Sequence, residues 1–365
     1  MNENKLPPLC KAIGERVCLK REREKKLPFV EKIMQSRSIS IFGMEKNTGK
    51  TETLNYIIRR LDAYRHRVAL TSIGIDGEKS DQVTQTAKPE IVVPKGMIFV
   101  TSELHFLKKE LIAEIIDVSE DRTALGRLIT ACSLEPGKIL LSGPSTTGGL
   151  RKMITTLSNS GVQTTIVDGA LSRKCLASPV VTDAMVLATG AALSINIPQL
   201  VRKTAAVYRL ISLPTVEAEL AEKLDPIEQG IWGIDESGNV YDLGIRSALM
   251  LNASNRNDLT RFGNRIYVSG AVSDNLLEQL RLSDDKICLI IRDFTRMFAL
   301  PEAVDRFLQS KHEIKSLYGG KLLAVTINPV APSGYKLKSE VLRREMEKAL
   351  GIPVYDVRGL NTLEC

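Results

Sequence analysis

SISIFGMEKNTGKTETLNYIIRR, residues 38–60, decides how this chain is read. A short apolar run (Ile39, Ile41, Phe42) leads into a glycine-bounded loop. Apolar residues at helical spacing follow: Leu54, Ile57, Ile58 and Leu61. The pattern predicts a strand, a tight loop and an amphipathic helix. The loop closes with Gly49-Lys50-Thr51, the ending of a phosphate-binding loop of the form G-x-x-x-x-G-K-[ST]. Its first glycine is Gly43, one residue early, and Met44 stands where that glycine usually falls. The shift matters little if Gly43 still makes the turn out of the strand. In that geometry the backbone N–H groups of Lys46, Asn47, Thr48, Gly49, Lys50 and Thr51 point inward at a helix tip, and the helix dipole there favours an anion. Lys50 is then expected at the β- and γ-phosphates and the Thr51 hydroxyl on Mg2+. Glu52 is expected to turn away, because phosphate repels it. The bland alternative is a chance Gly-Lys-Thr at a helix start.

Mg2+ needs further oxygen ligands. Asp76 in TSIGIDGE and Asp168 in TTIVDGA each end an apolar run, and each fits a metal role or a turn cap equally well. Gly169 rather than a glutamate follows Asp168. Slow hydrolysis is therefore expected, or a base from elsewhere such as Glu78. The guanine-reading sequence N-K-x-D is absent. VTINPVAPSGY (325–335) instead leaves a strand through Asn328, a candidate partner for adenine, so ATP is favoured over GTP. The same residues also suit a plain strand-end turn. GPSTTGGLRKM (143–153) offers a second helix start that fits either an anion or tight packing. Arg292, Asp293 and Arg296 in IIRDFTRMF fit a ligand or one another. His66, His105 and His312 are scattered and suggest neither a triad nor a metal cluster.

Composition narrows the field. The chain is 43% hydrophobic and 25% charged, which is that of a globular protein, and no apolar run approaches the roughly 18 residues of a membrane helix. Six dispersed cysteines without a C-x-x-C pair argue against zinc and against a disulfide framework, and with no secretory signal they point to the cytoplasm. Net charge is +7, but residues 1–37 hold ten Lys or Arg and five Glu, so most of it sits in that leader. KREREKK (20–26) reads as a solvated helix with Glu–Arg pairs rather than a nucleic-acid arm, and no nucleic-acid partner is expected.

Apolar runs recur at 68–74, 138–143, 164–169, 184–190, 265–270, 287–293, 322–328 and 353–357, with helical patterns between several of them, such as Leu342, Met346, Ala349 and Leu350. Continuous Val/Ile/Leu runs ended by Gly or a polar residue are the mark of buried parallel strands. The alternation predicts an α/β fold with a doubly wound, mostly parallel sheet of the P-loop nucleoside triphosphate hydrolase type. PEIVVPKGMIFVTS (89–102) reads as an inserted β-hairpin turning at Pro94-Lys95-Gly96. The expected division is a basic leader, 1–37, and one domain, 38–365, with insertions near 80–105 and 201–262.

GMEKNTGKTETLNY, LTSIGIDGE and VTQTAKPEIVVPKG, in that order, together with the later GPS, VDGA and TINP, resemble the P-loop subunit of the reactivating factor for lysine 5,6-aminomutase. The resemblance runs from about residue 36 onward and leaves the leader outside it. It implies an ATP-dependent chaperone in lysine degradation, working with a MutS-like partner ATPase subunit. Its client would be an adenosylcobalamin- and pyridoxal phosphate-dependent aminomutase, from which it promotes release of damaged cobalamin. The chain lacks D-x-H-x-x-G, so it is not expected to hold cobalamin itself. Two other readings stay open: an ATP-dependent small-molecule ligase or kinase of dethiobiotin-synthetase type, with GPSTTGG and Arg292 binding an acidic acceptor, and a partner-binding module with a vestigial loop.

Overall fold

Ile39 and Ile41 point to one side of a strand and Phe42 to the other, and that alternation builds the molecule outward in two directions. The computed structural model describes residues 29–62, 66–73, 91–170, 178–251 and 256–362. Its main sheet contains β1 (Ser38–Gly43), β2 (Val68–Ser72), β4 (Ile98–Ser102), β5 (Ala113–Thr123), β6 (Gly126–Ser133), β8 (Thr164–Ala170), β9 (Ala184–Gly190), β15 (Leu322–Asn328) and β16 (Val354–Asp356). Their order is β16-β15-β9-β1-β8-β2-β4-β6-β5. All neighbours are parallel from β16 to β4, and β6 and β5 add an antiparallel wing.

The described helices of eight or more residues are α1 (Lys50–Asp62), α2 (Thr147–Asn159), α3 (Ile197–Ile211), α4 (Asp274–Arg281), α5 (Pro301–Gln309) and α6 (Ser339–Leu350). On one face of the main sheet, Leu54, Ile57, Ile58 and Leu61 of α1 pack with Ile39, Ile41, Leu70, Ile166 and Val186. On the other face α3 and α6 cover Phe42, Met185, Leu187 and Val325, while α2 covers Ala69, Val100 and Val167. Two helical layers around a largely parallel sheet give the expected α/β architecture. From β1 the chain first builds the wing that runs from β2 to β5. It then returns as β8 beside β1 and continues as β9 on the opposite side. The strand order therefore reverses at β1, where open α/β sheets present their carboxyl-end crevice.

Several strands lie elsewhere than the sequence reading places them. The 265–270 and 287–293 runs become β12 (Arg265–Val268) and β13 (Cys288–Ile291) of a second sheet, with β10 (Ile231–Ile234), β11 (Val240–Ile245) and β14 (Glu313–Ser316), ordered β11-β10-β12-β13-β14. α4 and α5 cover one of its faces. The expected 89–102 hairpin is not one. The turn at Pro94 exists, with Met97 N–H donating to the Pro94 carbonyl at 3.4 Å, but its arms join different sheets. β3 (Ile91–Val93) pairs with β7 (Gly137–Ile139), the expected 138–143 strand, while β4 enters the main sheet. The long hairpin of the fold is β5–β6, whose solvent-exposed first strand lacks the apolar run that marks a buried one. The two sheets meet where Phe42, next to Gly43, packs against Phe294 with ring centroids 6.3 Å apart, and where Ser178 donates to Asp293 at 2.7 Å.

Candidate functional site

Residues 43–50 turn out of β1 and directly into α1, at the reversal of strand order. Asn47 (φ 61°) and Gly49 (φ 94°) both adopt left-handed backbone, which asparagine and glycine tolerate best. A Cβ at Gly43 would lie 2.6 Å from Thr48 Oγ1, so the shifted glycine does make the close turn that its position requires. Thr48 is buried, and its hydroxyl donates to the Glu45 carbonyl at 2.8 Å. The Met44 N–H donates to the Ala188 carbonyl of β9 at 3.0 Å, tying the loop to the neighbouring strand. At the helix start the Thr53 N–H and hydroxyl both donate to the Gly49 carbonyl, and Thr53 Oγ1 lies 2.8 Å from Thr326 Oγ1 of β15. The loop is therefore held by contacts of its own and by two strands.

Asn328 closes this frame. Its Nδ2 donates to the Asn47 carbonyl at 3.2 Å, its Oδ1 accepts from the Val330 N–H at 3.2 Å, and a Cβ on Gly49 would meet Asn328 Cβ at 2.8 Å. The side chain expected to read a base thus braces the loop from behind, with both ends of its amide engaged.

Lys50 Nζ lies 3.1 Å from Asp168 Oδ1, both largely buried. β1 and β8 are in register Ile41 to Asp168, so the carboxylate stands one strand away from the loop. Thr51 is half-buried in the first turn of α1. Lys46 is exposed on the loop. Glu52 turns outward toward Arg358, 3.7 Å away. The structure therefore brings Gly43, Lys46, Asn47, Thr48, Gly49, Lys50, Thr51, Asp168 and Asn328 together, whereas Asp76 and Glu78 lie outside the described residues. Thr53, Thr326 and Ala188, which anchor the loop, were not singled out from sequence. Only Thr326 carried a hint, two residues before Asn328 in the same strand.

The 43–50 loop fits a polyphosphate. Its two glycines sit where side chains would collide, its left-handed residues turn the peptide units, and a cation and a carboxylate flank the helix tip. Among the described residues no group of three or more His, Cys, Asp or Glu could hold a metal by itself, so a metal here would rely on Thr51, Asp168 and the nucleotide.

Neither a protein-family model nor a curated protein matches the chain. Among solved structures, the MinC:MinD cell division protein complex of Aquifex aeolicus aligns with 11% identity over 90% of this chain and 95% of that chain, at a TM-score of 0.25. That overlap is too loose to carry an argument. Among the described residues no helix is long and apolar enough to cross a membrane.

Arg292, Asp293, Gly143 and His105, also singled out in the sequence, do structural work. Arg292 donates to the Asp225 and Ile227 carbonyls and pairs with the Asp225 carboxylate at 3.2 Å. Asp293 accepts from Ser178 and from the Thr295 N–H. In the 143–149 turn a Cβ on Gly143 would come within 1.7 Å of the Ser72 carbonyl oxygen, and Thr146 caps α2 by accepting from the Gly149 N–H. Tight packing accounts for that glycine. His105 is buried with Nδ1 2.6 Å from Ser142 Oγ, and burial together with nearby Lys108 lowers its pKa.

Proposed function

We propose that this chain is a P-loop ATP-binding subunit that uses the nucleotide to remodel a protein partner. The observation that carries the reading is the 43–50 loop between β1 and α1, braced by Asn328, Thr48 and Ala188, with Lys50 at its helix tip. The backbone N–H groups of residues 46–51 would hold the phosphates. Lys50 would neutralise their charge, and Thr51 and Asp168 would ligate Mg2+. The nucleotide supplies binding and hydrolysis free energy, and the chain's part is to hold, orient and shield it. Gly169 rather than a glutamate follows Asp168, so no hydrolytic base adjoins it in sequence, and turnover by the isolated chain would be slow unless a residue elsewhere supplies one.

As partners we infer the MutS-like ATPase subunit and the cobalamin-dependent aminomutase that the sequence resemblance implies. This rests on GMEKNTGKTETLNY, LTSIGIDGE and VTQTAKPEIVVPKG. The ligase alternative needs Arg292 for an acidic acceptor, and that guanidinium is engaged by Asp225 and Ile227. Calorimetry with Mg·ATP tests the site: wild type binds and Lys50→Ala loses at least tenfold in affinity. Recovery of activity by an inactivated aminomutase, given this chain, the partner subunit and ATP, tests the client. Tight nucleotide binding without recovery would retain the site and reject the client.

A further inference from the structure

Among the described residues the main sheet ends at β5, an eleven-residue strand paired only with β6, which leaves its outer backbone N–H and C=O groups without a described strand partner. Ile112, Ile115, Ile116 and Leu134 lie at this end of the sheet and are 59%, 50%, 52% and 45% exposed. The Leu134 N–H donates to the Ile112 carbonyl at 2.8 Å, which joins the first and last of them. Ile115 stands opposite Ala131, and the register shifts between Ile115 and Asp117, leaving Ile116 in a bulge. Along the same strand Glu114, Asp117 and Glu120 make no ion pair among the described residues, and Asp121 reaches only Lys152, at 3.8 Å with both side chains well exposed.

Charges and bulges commonly guard an edge strand against unwanted pairing. They account for the carboxylates here but not for four half-exposed aliphatic side chains along one sheet edge, which mark a contact surface. We propose that β5 is the docking edge for an extended segment of another protein, one that alternates aliphatic residues with lysine or arginine and enters as a tenth strand. Main-chain hydrogen bonds would supply affinity, and the aliphatic and carboxylate side chains would supply selectivity. A second copy of β5 is the poorer occupant. It would set four carboxylates and one arginine, Arg122, against the same set, and like charges across a strand pair destabilise it.

This surface is independent of the nucleotide reading, and its test needs no nucleotide. The full chain is titrated against a fluorescent ten-residue peptide of alternating valine and lysine, beside a valine–glutamate peptide and a valine–lysine peptide interrupted by proline. The expected result is saturable binding of the first, about tenfold or more tighter than either control, with new hydrogen-exchange protection in 113–123. The double variants Ile115→Asn/Ile116→Asn and Glu114→Lys/Asp117→Lys, checked for unchanged melting, should each weaken it about tenfold. Equal binding of the proline or glutamate peptide, or indifference to both variants, overturns the proposal. So does sedimentation showing a dimer that these variants dissolve.

Discussion

A phosphate that reaches Lys50 comes close to Asp168, since the two stand 3.1 Å apart in a largely buried pair. Without a metal, that carboxylate would face a polyphosphate of like charge. With Mg2+ it has a partner, so nucleotide and metal should bind cooperatively. Asp168→Asn removes that conflict. We expect metal-free ATP to bind the variant more tightly than wild type, and the gain from adding Mg2+ to shrink about tenfold. Calorimetry in EDTA and in Mg2+ reads both numbers, and an unchanged Mg2+ effect would show that Asp168 does not serve the metal. Asn328 offers a second residue-scale test. Losing its hydrogen bond to the Asn47 carbonyl costs about 1 kcal/mol. Asn328→Ala should thus weaken nucleotide binding about fivefold while leaving the adenine-over-guanine preference unchanged. A lost base preference would mean that the side chain reads the base after all. The loop residues and Lys50 were legible in sequence because their roles are local. The task of Asn328 was not, because its target is a carbonyl far away in the chain.

At the scale of elements, glycine and histidine mark the constraints. Gly143→Ala would drive a methyl group into the Ser72 carbonyl oxygen, both partners being backbone. The loss should be on the order of 3 kcal/mol in denaturant unfolding, whereas Gly148→Ala in the same turn, where a Cβ meets nothing, should cost far less. His105, in the middle of the short helix Glu103–Leu107, titrates below its ordinary value because burial disfavours the charged ring. The unfolded chain therefore binds this proton more readily than the folded one. Stability is full above a pH of about 6.5 and falls as pH drops from there toward the folded-state value. His105→Asn should flatten that acid-side slope, as urea titrations from pH 7.5 to pH 5 would record. Buried parallel strands such as β9 and β15 announced themselves as largely apolar runs. β5, with its AEIIDVSEDRT sequence, did not, because an exposed edge strand needs no apolar face. Periodicity also says nothing about which sheet a strand joins, so β12 and β13 read the same as members of the main sheet. The turn at Pro94 was visible, yet its flanking strands pair with residues 26 to 48 positions away.

For the whole molecule, the Phe42–Phe294 contact joins the two sheets beside the loop. Phe294 is buried among Met185, Leu187 and Ile211, so Phe294→Ala should cost about 3–5 kcal/mol. It should also lower the temperature of the calorimetric transition, leaving Ser178–Asp293 and the Arg209–Asp305 pair to hold the second sheet to the first. One transition at an unchanged temperature would place the coupling elsewhere. The brace on the loop has a consequence for biosynthesis. Asn47 and Asn328 are 281 residues apart, and β8 and β9, which flank β1, follow it by more than a hundred. A ribosome delivers the loop 281 residues before its brace. Nascent chains that still lack β8, β9 and Asn328 would have little grip on ATP, and the cell's nucleotide pool would selectively stabilise those that have acquired them.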